Sequence, residues 1–464
     1  MRLPSNFTLS LALASALLSG CASFSADSGQ DQVRALTAAR NQSVPAIAPS
    51  AREAHIAQLL AAPLTPAQAV DIALLNNRTL QAGYAELGIA EADLVQSGRL
   101  QNPVFTFGRL RGADGVEIER QLTLPVIGLL TMPLARPLEA RRYELAQMRT
   151  AAEVLRIADE TRRAWYSAVA AEQSAIYLEQ VKSAAEAGAE LARRMAQAGN
   201  WSRLQQSREQ AFYADAVAQL ARARHARTVE REKLTRLMGL WGAATSFQLP
   251  DRLPDLPAAP RDIKDAEANA MANRLDMLMA QKELAGLSKS LGLTRATRFI
   301  NLLDLSYLRN READGARAEG YEIELQIPLF DWGSARVARA EATYMQAVQR
   351  AAGMAIDARS QVRETYSGYR TAYDIARHYR DEVVPLKKRI SDEQLLRYNG
   401  MLISVFELLA DAREQVASVN AAIEAQRDYW IADSALQAAM TGAGSTPGPS
   451  LGGGSTAAPS APQH

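Results

Sequence analysis

A single cysteine, Cys21, stands in 464 residues, so no intramolecular disulfide staples the fold. Histidine is almost as scarce: His55, His225, His378 and His464 are scattered, and none has a partner at metal-ligand spacing. No metal site and no cofactor is therefore expected. The 52 basic and 51 acidic residues nearly cancel and form no basic cluster, which argues against a nucleic-acid partner. Asp and Glu sit mostly among Arg, where i,i+4 pairing on helices accounts for them. No Gly-rich phosphate loop or serine elbow stands out. An enzyme reading, a cell-wall hydrolase tethered through Cys21, thus lacks a nucleophile, a base and a ligand set, and the chain is read as a non-enzyme. Beyond the first twenty residues no apolar run approaches the length of a membrane helix. A membrane crossing would have to use strands.

What is present begins at the N-terminus. Arg2 precedes an apolar run, Leu9 to Leu18, and then Leu18-Ser19-Gly20-Cys21. The run is too short to span a bilayer, so residues 1–20 read as a secretory signal. LSGC resembles a bacterial lipobox, in which the signal is cut before the cysteine and the cysteine is acylated. That resemblance makes Cys21 the lipidation site, and Ala22 behind it is compatible with transfer to the outer membrane. The alternative is an incidental buried cysteine. Residues 21–63, rich in Ala, Ser and Gln, predict an extended, lipid-anchored N-terminal extension. Residues 441–464 are Gly, Ser, Pro and Ala and predict a disordered tail.

Helix breakers are rare in two long stretches. From Leu138 to Leu240 there is no proline, and the only glycines are Gly188, Gly199 and Gly239; from Ser334 to Met440 there is one proline, Pro385. Both predict very long helices. With Gly199 as a turn, the run from Leu138 is roughly 60 residues, about 90 Å at 1.5 Å per residue, which suggests a coiled-coil architecture. Val405, Leu409, Ala412, Val416, Val419 and Ile423 have the alternating four-and-three spacing of a packed seam. Pro385 should kink or break its helix after Val384.

The chain also repeats itself with an offset near 200 residues. A helix begins around Asn76-Asn77-Arg78 and again around Asn273-Arg274-Leu275. Ala113-Asp114-Gly115 matches Ala313-Asp314-Gly315, Pro125 matches Pro328, and Trp165-Tyr166 matches Thr365-Tyr366. Both long helices stop near a glycine, Gly199 and Gly400. The first copy carries about five extra residues around Ile127 to Arg136. Residues 64–248 form the first repeat, 249–262 a Pro-rich linker, and 263–440 the second repeat.

Each repeat contains strand-like sequence. Tyr321, Ile323, Leu325 and Ile327 alternate with Glu322, Glu324 and Gln326, so one face is apolar and the other acidic. Val116, Ile118, Leu122 and Leu124 alternate with Glu117, Glu119, Gln121 and Thr123, although Arg120 breaks the apolar face. Partner strands run roughly from Pro103 to Leu110 and from Phe299 to Leu308. Strands of this length suit a tilted transmembrane span. Four strands alone would leave unpaired edges in hydrocarbon, so a membrane reading requires oligomerisation. The alternative is a pair of half-exposed soluble hairpins.

Over about Leu64 to Met440 the chain resembles the TolC outer-membrane efflux family. The resemblance rests on helix, strand, loop, strand, long helix, glycine tip and returning helix, given twice. It also rests on Leu325-Gln326-Ile327-Pro328-Leu329-Phe330-Asp331-Trp332-Gly333 and Arg397-Tyr398-Asn399-Gly400. It implies a mainly α fold with a small β-barrel part, in which a homotrimer closes a 12-stranded barrel in the outer membrane above a periplasmic helical tunnel. Expected partners are a periplasmic adaptor (membrane fusion) protein, an inner-membrane transporter and outer-membrane lipid. Tyr321, Ile323, Leu325 and Ile327 would face lipid. Gly199, Asn200, Asn399 and Gly400 would be the adaptor-contact tips. Glu407 and Asp411, four residues apart on the side of the helix away from the seam, would line an acidic constriction; on geometry alone an outward, solvated face, with Arg413 as their partner, is equally open. The rival to this duct is a periplasmic coiled-coil scaffold lipoprotein without a pore.

Overall fold

A computed structural model of the chain describes residues 24–112, 115–297, 303–312, 314–325 and 329–443. The signal, Cys21, most of the tail and Ile327 lie outside the described residues. The elements in order are α1 (Gln30–Ala38), α2 (Arg52–Leu60), α3 (Pro66–Asn76), α4 (Arg78–Ser97), β1 (Val104–Gly112), β2 (Gly115–Pro125), α5 (Val126–Gln197) and α6 (Arg203–Met238). The second repeat follows with α7 (Ala266–Asn273), α8 (Leu275–Thr297), β3 (Leu303–Arg311), β4 (Arg317–Leu325), α9 (Ser334–His378), a π-helical turn (Tyr379–Val383), α10 (Val384–Asn399) and α11 (Val405–Thr441). The chain is mainly helical, with one four-stranded sheet. Among the described residues no helix is long and apolar enough to cross a membrane.

Three sequence expectations need correction. The segment 21–63 is not extended throughout, because it contains α1 and α2, where Val33 and Ile56 supply apolar residues to bury. The long helix expected from Leu138 starts earlier: α5 begins at Val126, directly after Pro125, and holds Pro133 and Pro137 within its first turns. The helix is not interrupted after Val384 itself, where Pro385 stands in the first turn of α10. The irregularity comes earlier, as the π-helical turn Tyr379–Val383, which widens the backbone ahead of the proline ring.

The repeats match at the level of individual bonds. In each, two helices are separated by one extended residue, Asn77 (ψ 123°) or Arg274 (ψ 128°), whose N–H still donates to Ala73 or Ala270. The side chain of that residue then caps the far end of the repeat's returning helix. Asn77 Nδ2 donates to Leu237 O at 2.9 Å, and Arg274 Nη1 donates to Ala439 O at 2.7 Å. These carbonyls lie in the last turns of α6 and α11, where intrahelical partners run out. Both helices end in a left-handed glycine, Gly239 (φ 65°) and Gly442 (φ 79°). A Cβ at Gly239 would sit 2.7 Å from Asn76 O, and one at Gly442 2.8 Å from Asp276 Oδ1, so glycine is required twice over.

Space divides the chain differently from sequence. One compact unit comprises Met1–Leu36, Gln81–Ala151 and Met277–Ile356; the other comprises Thr37–Leu80, Ala152–Asp276 and Asp357–His464. Each unit therefore takes pieces of both repeats. The first holds the sheet, in the order β1-β2-β3-β4 and antiparallel throughout. The second packs the long helices around small residues and aromatics. Leu178, Val181 and Ala185 meet Ala216 and Leu220, with Val416 of the predicted seam against them. Farther along, Tyr369, Tyr373 and Tyr429 pack with Leu436, and Trp165 Nε1 donates to Leu64 O at 2.9 Å. The Pro-rich linker is laid down as a strap: Leu253 and Leu256 are buried, and Pro254 O accepts from Gln426 Nε2 and Trp430 Nε1.

Candidate functional site

The register of the sheet fixes which side chains share a face. Leu124, Leu305 and Ile323 align across three strands, and Phe105, Leu122, Tyr307 and Tyr321 align across all four. With Phe107 these residues form one exposed apolar surface, on which Tyr321 is 79% and Ile323 61% accessible. Of the four residues expected to face lipid, Tyr321 and Ile323 thus share this face. Leu325 ends β4 opposite Leu303, and Ile327 lies outside the described residues.

The opposite face is polar. Thr123, Ser306 and Glu322 align, and Thr123 Oγ1 lies 3.0 Å from Ser306 Oγ. Glu117, Glu119, Asp304 and Glu324 occupy the same face, and Gly108 leaves room for the Glu119 side chain that crosses it. β1 and β4 are both open edges.

Toward the hairpin turns the apolar face changes character. Arg109, Arg111, Arg120, Arg309, Arg311 and Arg317 all lie on it. Arg120, which broke the alternation in sequence, is therefore one member of a basic group. Sequence reasoning missed the group, yet its signal is in the repeat: Arg109 and Arg309, and Arg111 and Arg311, stand 200 residues apart.

The tips are built alike, although the glycines are not equivalent. At the first, Gly199 is left-handed (φ 78°), Asn200 N–H donates to Met195 O, and Ser202 caps α6. At the second, Met401 is left-handed (φ 58°), Leu402 N–H donates to Arg397 O, and Ser404 caps α11. Met401 therefore occupies the place of Gly199, whereas Gly400 has an ordinary φ of −78°. Gly199, Asn200, Asn399 and Gly400 are all exposed, as are Met401 and Leu402.

Glu407 and Asp411 follow in the first turns of α11 and differ in setting. Glu407 is exposed, and its N–H is capped by Ser404 Oγ. Asp411 is only 8% accessible, and its Oδ2 has no hydrogen-bond partner among the described residues. The expectation that both acids point away from packed surface thus fails for Asp411. Arg413 does not pair with either; it donates to Glu209 Oε1 at 2.9 Å and lies over the Phe212 ring. Among the described residues no three His, Cys, Asp or Glu converge as a metal site.

No protein-family model and no curated protein matches the sequence. Solved structures do match. The Campylobacter jejuni CmeC outer membrane channel aligns with a TM-score of 0.68 at 16% identity, covering 82% of this chain and 86% of that one. The Vibrio cholerae outer membrane protein VceC aligns with a TM-score of 0.67 at 15% identity over 81% and 95%. The open state of the Neisseria gonorrhoeae MtrE outer membrane channel gives 0.66 at 16% over 80% and 88%. With a strand pair, long helices and a reversing tip, given twice, the chain has the fold of the TolC-type outer-membrane channels.

Proposed function

We propose that this chain is the outer-membrane exit duct of a tripartite efflux or secretion system. It would pass substrates such as drugs or metal ions from a periplasmic adaptor and an inner-membrane pump to the outside. The observation that carries the reading is the sheet, which has an exposed apolar face, an acidic opposite face and two open edges. Eight large apolar side chains on one face represent on the order of 10–20 kcal/mol of unrealised burial. In lipid, each unpaired edge group costs several kcal/mol more. Insertion into lipid covers the apolar face, closure with identical copies pairs the open edges, and three chains supply twelve strands, a barrel with apolar exterior and acidic lumen. Cys21 would carry the lipid as a tether. The tips around Gly199, Asn200, Asn399 and Gly400 would meet the adaptor, helped by the exposed Met401 and Leu402. Glu407, the exposed one of the two acids, would set about three negative charges from three chains around the lumen near that end, favouring cations.

A scaffold lipoprotein needs no such two-sided sheet. Planar-bilayer recording of the purified full chain separates the two readings. Discrete conductance steps are expected, from a detergent-stable trimer recovered with the outer membrane after high-salt washing. A salt-extractable protein without conductance would establish the scaffold instead.

A further inference from the structure

We infer that the arginines at the hairpin end of the sheet form a belt that binds phosphorylated lipid headgroups in the outer leaflet. The inference rests on the membrane reading above and adds a lipid-recognition site to it. The two charge signs are segregated by face. Arg109, Arg111, Arg120, Arg309, Arg311 and Arg317 all share the apolar face, where Glu319 is the one acid; Glu117, Glu119, Asp304, Glu322 and Glu324 share the other. Pairing across the sheet would have mixed the signs. Of the six arginines only Arg309 is ion-paired among the described residues, to Glu319 at 2.9 Å, while Tyr307 Oη donates to the other oxygen of that carboxylate at 3.4 Å. All six are exposed.

Position along the strands identifies the occupant. The chain enters and leaves the sheet through helices at one end and reverses through short turns at the other. Arginine replaces apolar residues only toward the turns: on β3, Leu305 and Tyr307 are followed on the same face by Arg309 and Arg311, and on β1, Phe105 and Phe107 by Arg109 and Arg111. Tyr307 and Arg311 are four positions apart, roughly 13 Å along the strand. That is the interval between hydrocarbon and headgroups, with Tyr307 and Tyr321 at the boundary where amphipathic rings settle. A guanidinium fork matches a phosphate in bidentate fashion, and several on one surface would hold a lipid bearing phosphate monoesters, the headgroup chemistry of lipid A. A soluble anion would be served equally well by arginines on the luminal face, where the described residues include none.

The test compares insertion of the purified full chain into phosphatidylcholine vesicles that contain either phosphorylated or dephosphorylated lipid A. The expected result is a preference for the phosphorylated lipid that falls about tenfold or more in an Arg109→Gln, Arg311→Gln, Arg317→Gln variant. Insertion of that variant into the dephosphorylated vesicles should stay unchanged, and a Glu117→Gln control should keep the preference. Insertion without headgroup preference, or a preference that survives the triple substitution, would overturn the belt while leaving the channel intact. Loss of the preference on adding millimolar inorganic phosphate would overturn the lipid as the ligand. Failure of the wild-type chain to insert into any vesicle would overturn the channel reading and the belt with it.

Discussion

Met401 holds a left-handed backbone with its side chain 93% exposed, so it bears a steric penalty that no packing offsets. Met401→Gly should therefore raise the unfolding free energy by about 0.5–1 kcal/mol, read from a urea titration in detergent. If the exposed thioether contacts the adaptor, the same variant should export less well despite its added stability. Gly400 behaves oppositely: a Cβ there would meet nothing nearer than 3.5 Å at an ordinary φ, so Gly400→Leu should leave the trimer intact. Export should still fall; trimer and export lost together would assign Gly400 a plain turn role. At the exposed acid, Glu407→Ala should lower cation preference and raise resting conductance in a planar bilayer. Unchanged recordings would place Glu407 outside the lumen. Glycine identity located each tip to within a residue, but it did not reveal which residue turns left-handed. That depends on which N–H groups reach back to the last helical carbonyls, and an alignment by glycine slips there by one.

On the strands, adjacent residues test the two faces without moving along the sheet. Ile323→Lys places a charge on the apolar face and should depress assembled trimer by the equivalent of about 2–4 kcal/mol. Glu322→Lys, one residue away on the polar face, should assemble nearly normally, as seen on a semi-native gel; equal losses would argue against a barrel. Alternation of Tyr321, Ile323 and Glu322, Glu324 made these strands legible, since period two survives any context. The arginines were not legible, because Arg120 taken alone looks like a fault in the pattern. Only the pairing of Phe107 with Arg120 and of Ile118 with Arg311 reveals a shared surface. Pro385 was misplaced for a related reason: a proline forbids one hydrogen bond, but the backbone relieves the clash upstream, over Tyr379–Val383. The Pro-rich linker likewise gave no sign that its carbonyls would be held by Gln426 and Trp430.

Across the whole molecule the duplication makes a quantitative comparison available. Arg274 is 2% exposed and grips Asp276 through two bonds, 3.0 and 2.7 Å, while capping Ala439. Arg274→Ala removes the charged partner of the buried Asp276 carboxylate and should cost about 3–5 kcal/mol. Asn77→Ala removes the equivalent neutral cap and should cost about 1–3 kcal/mol in the same urea titration. The 200-residue offset was readable in sequence; the division into compact units was not, because each unit draws on both repeats and sequence distance carries no sign of that. This interleaving bears on how the molecule is made. β2 ends at Pro125 and its neighbour β3 begins at Leu303, so 178 residues, counted as 303 − 125, must be synthesised before the central strand pair can form. At 5–20 residues per second that takes roughly 9–36 s. During that interval the first hairpin presents Phe105, Phe107 and Leu122 beside an unpaired strand edge, the combination most prone to joining a wrong neighbour. A holding factor on the first hairpin until the second arrives would suppress that wrong pairing, so depletion of such factors should lower the yield of this protein more than that of proteins whose strands pair with near neighbours in sequence.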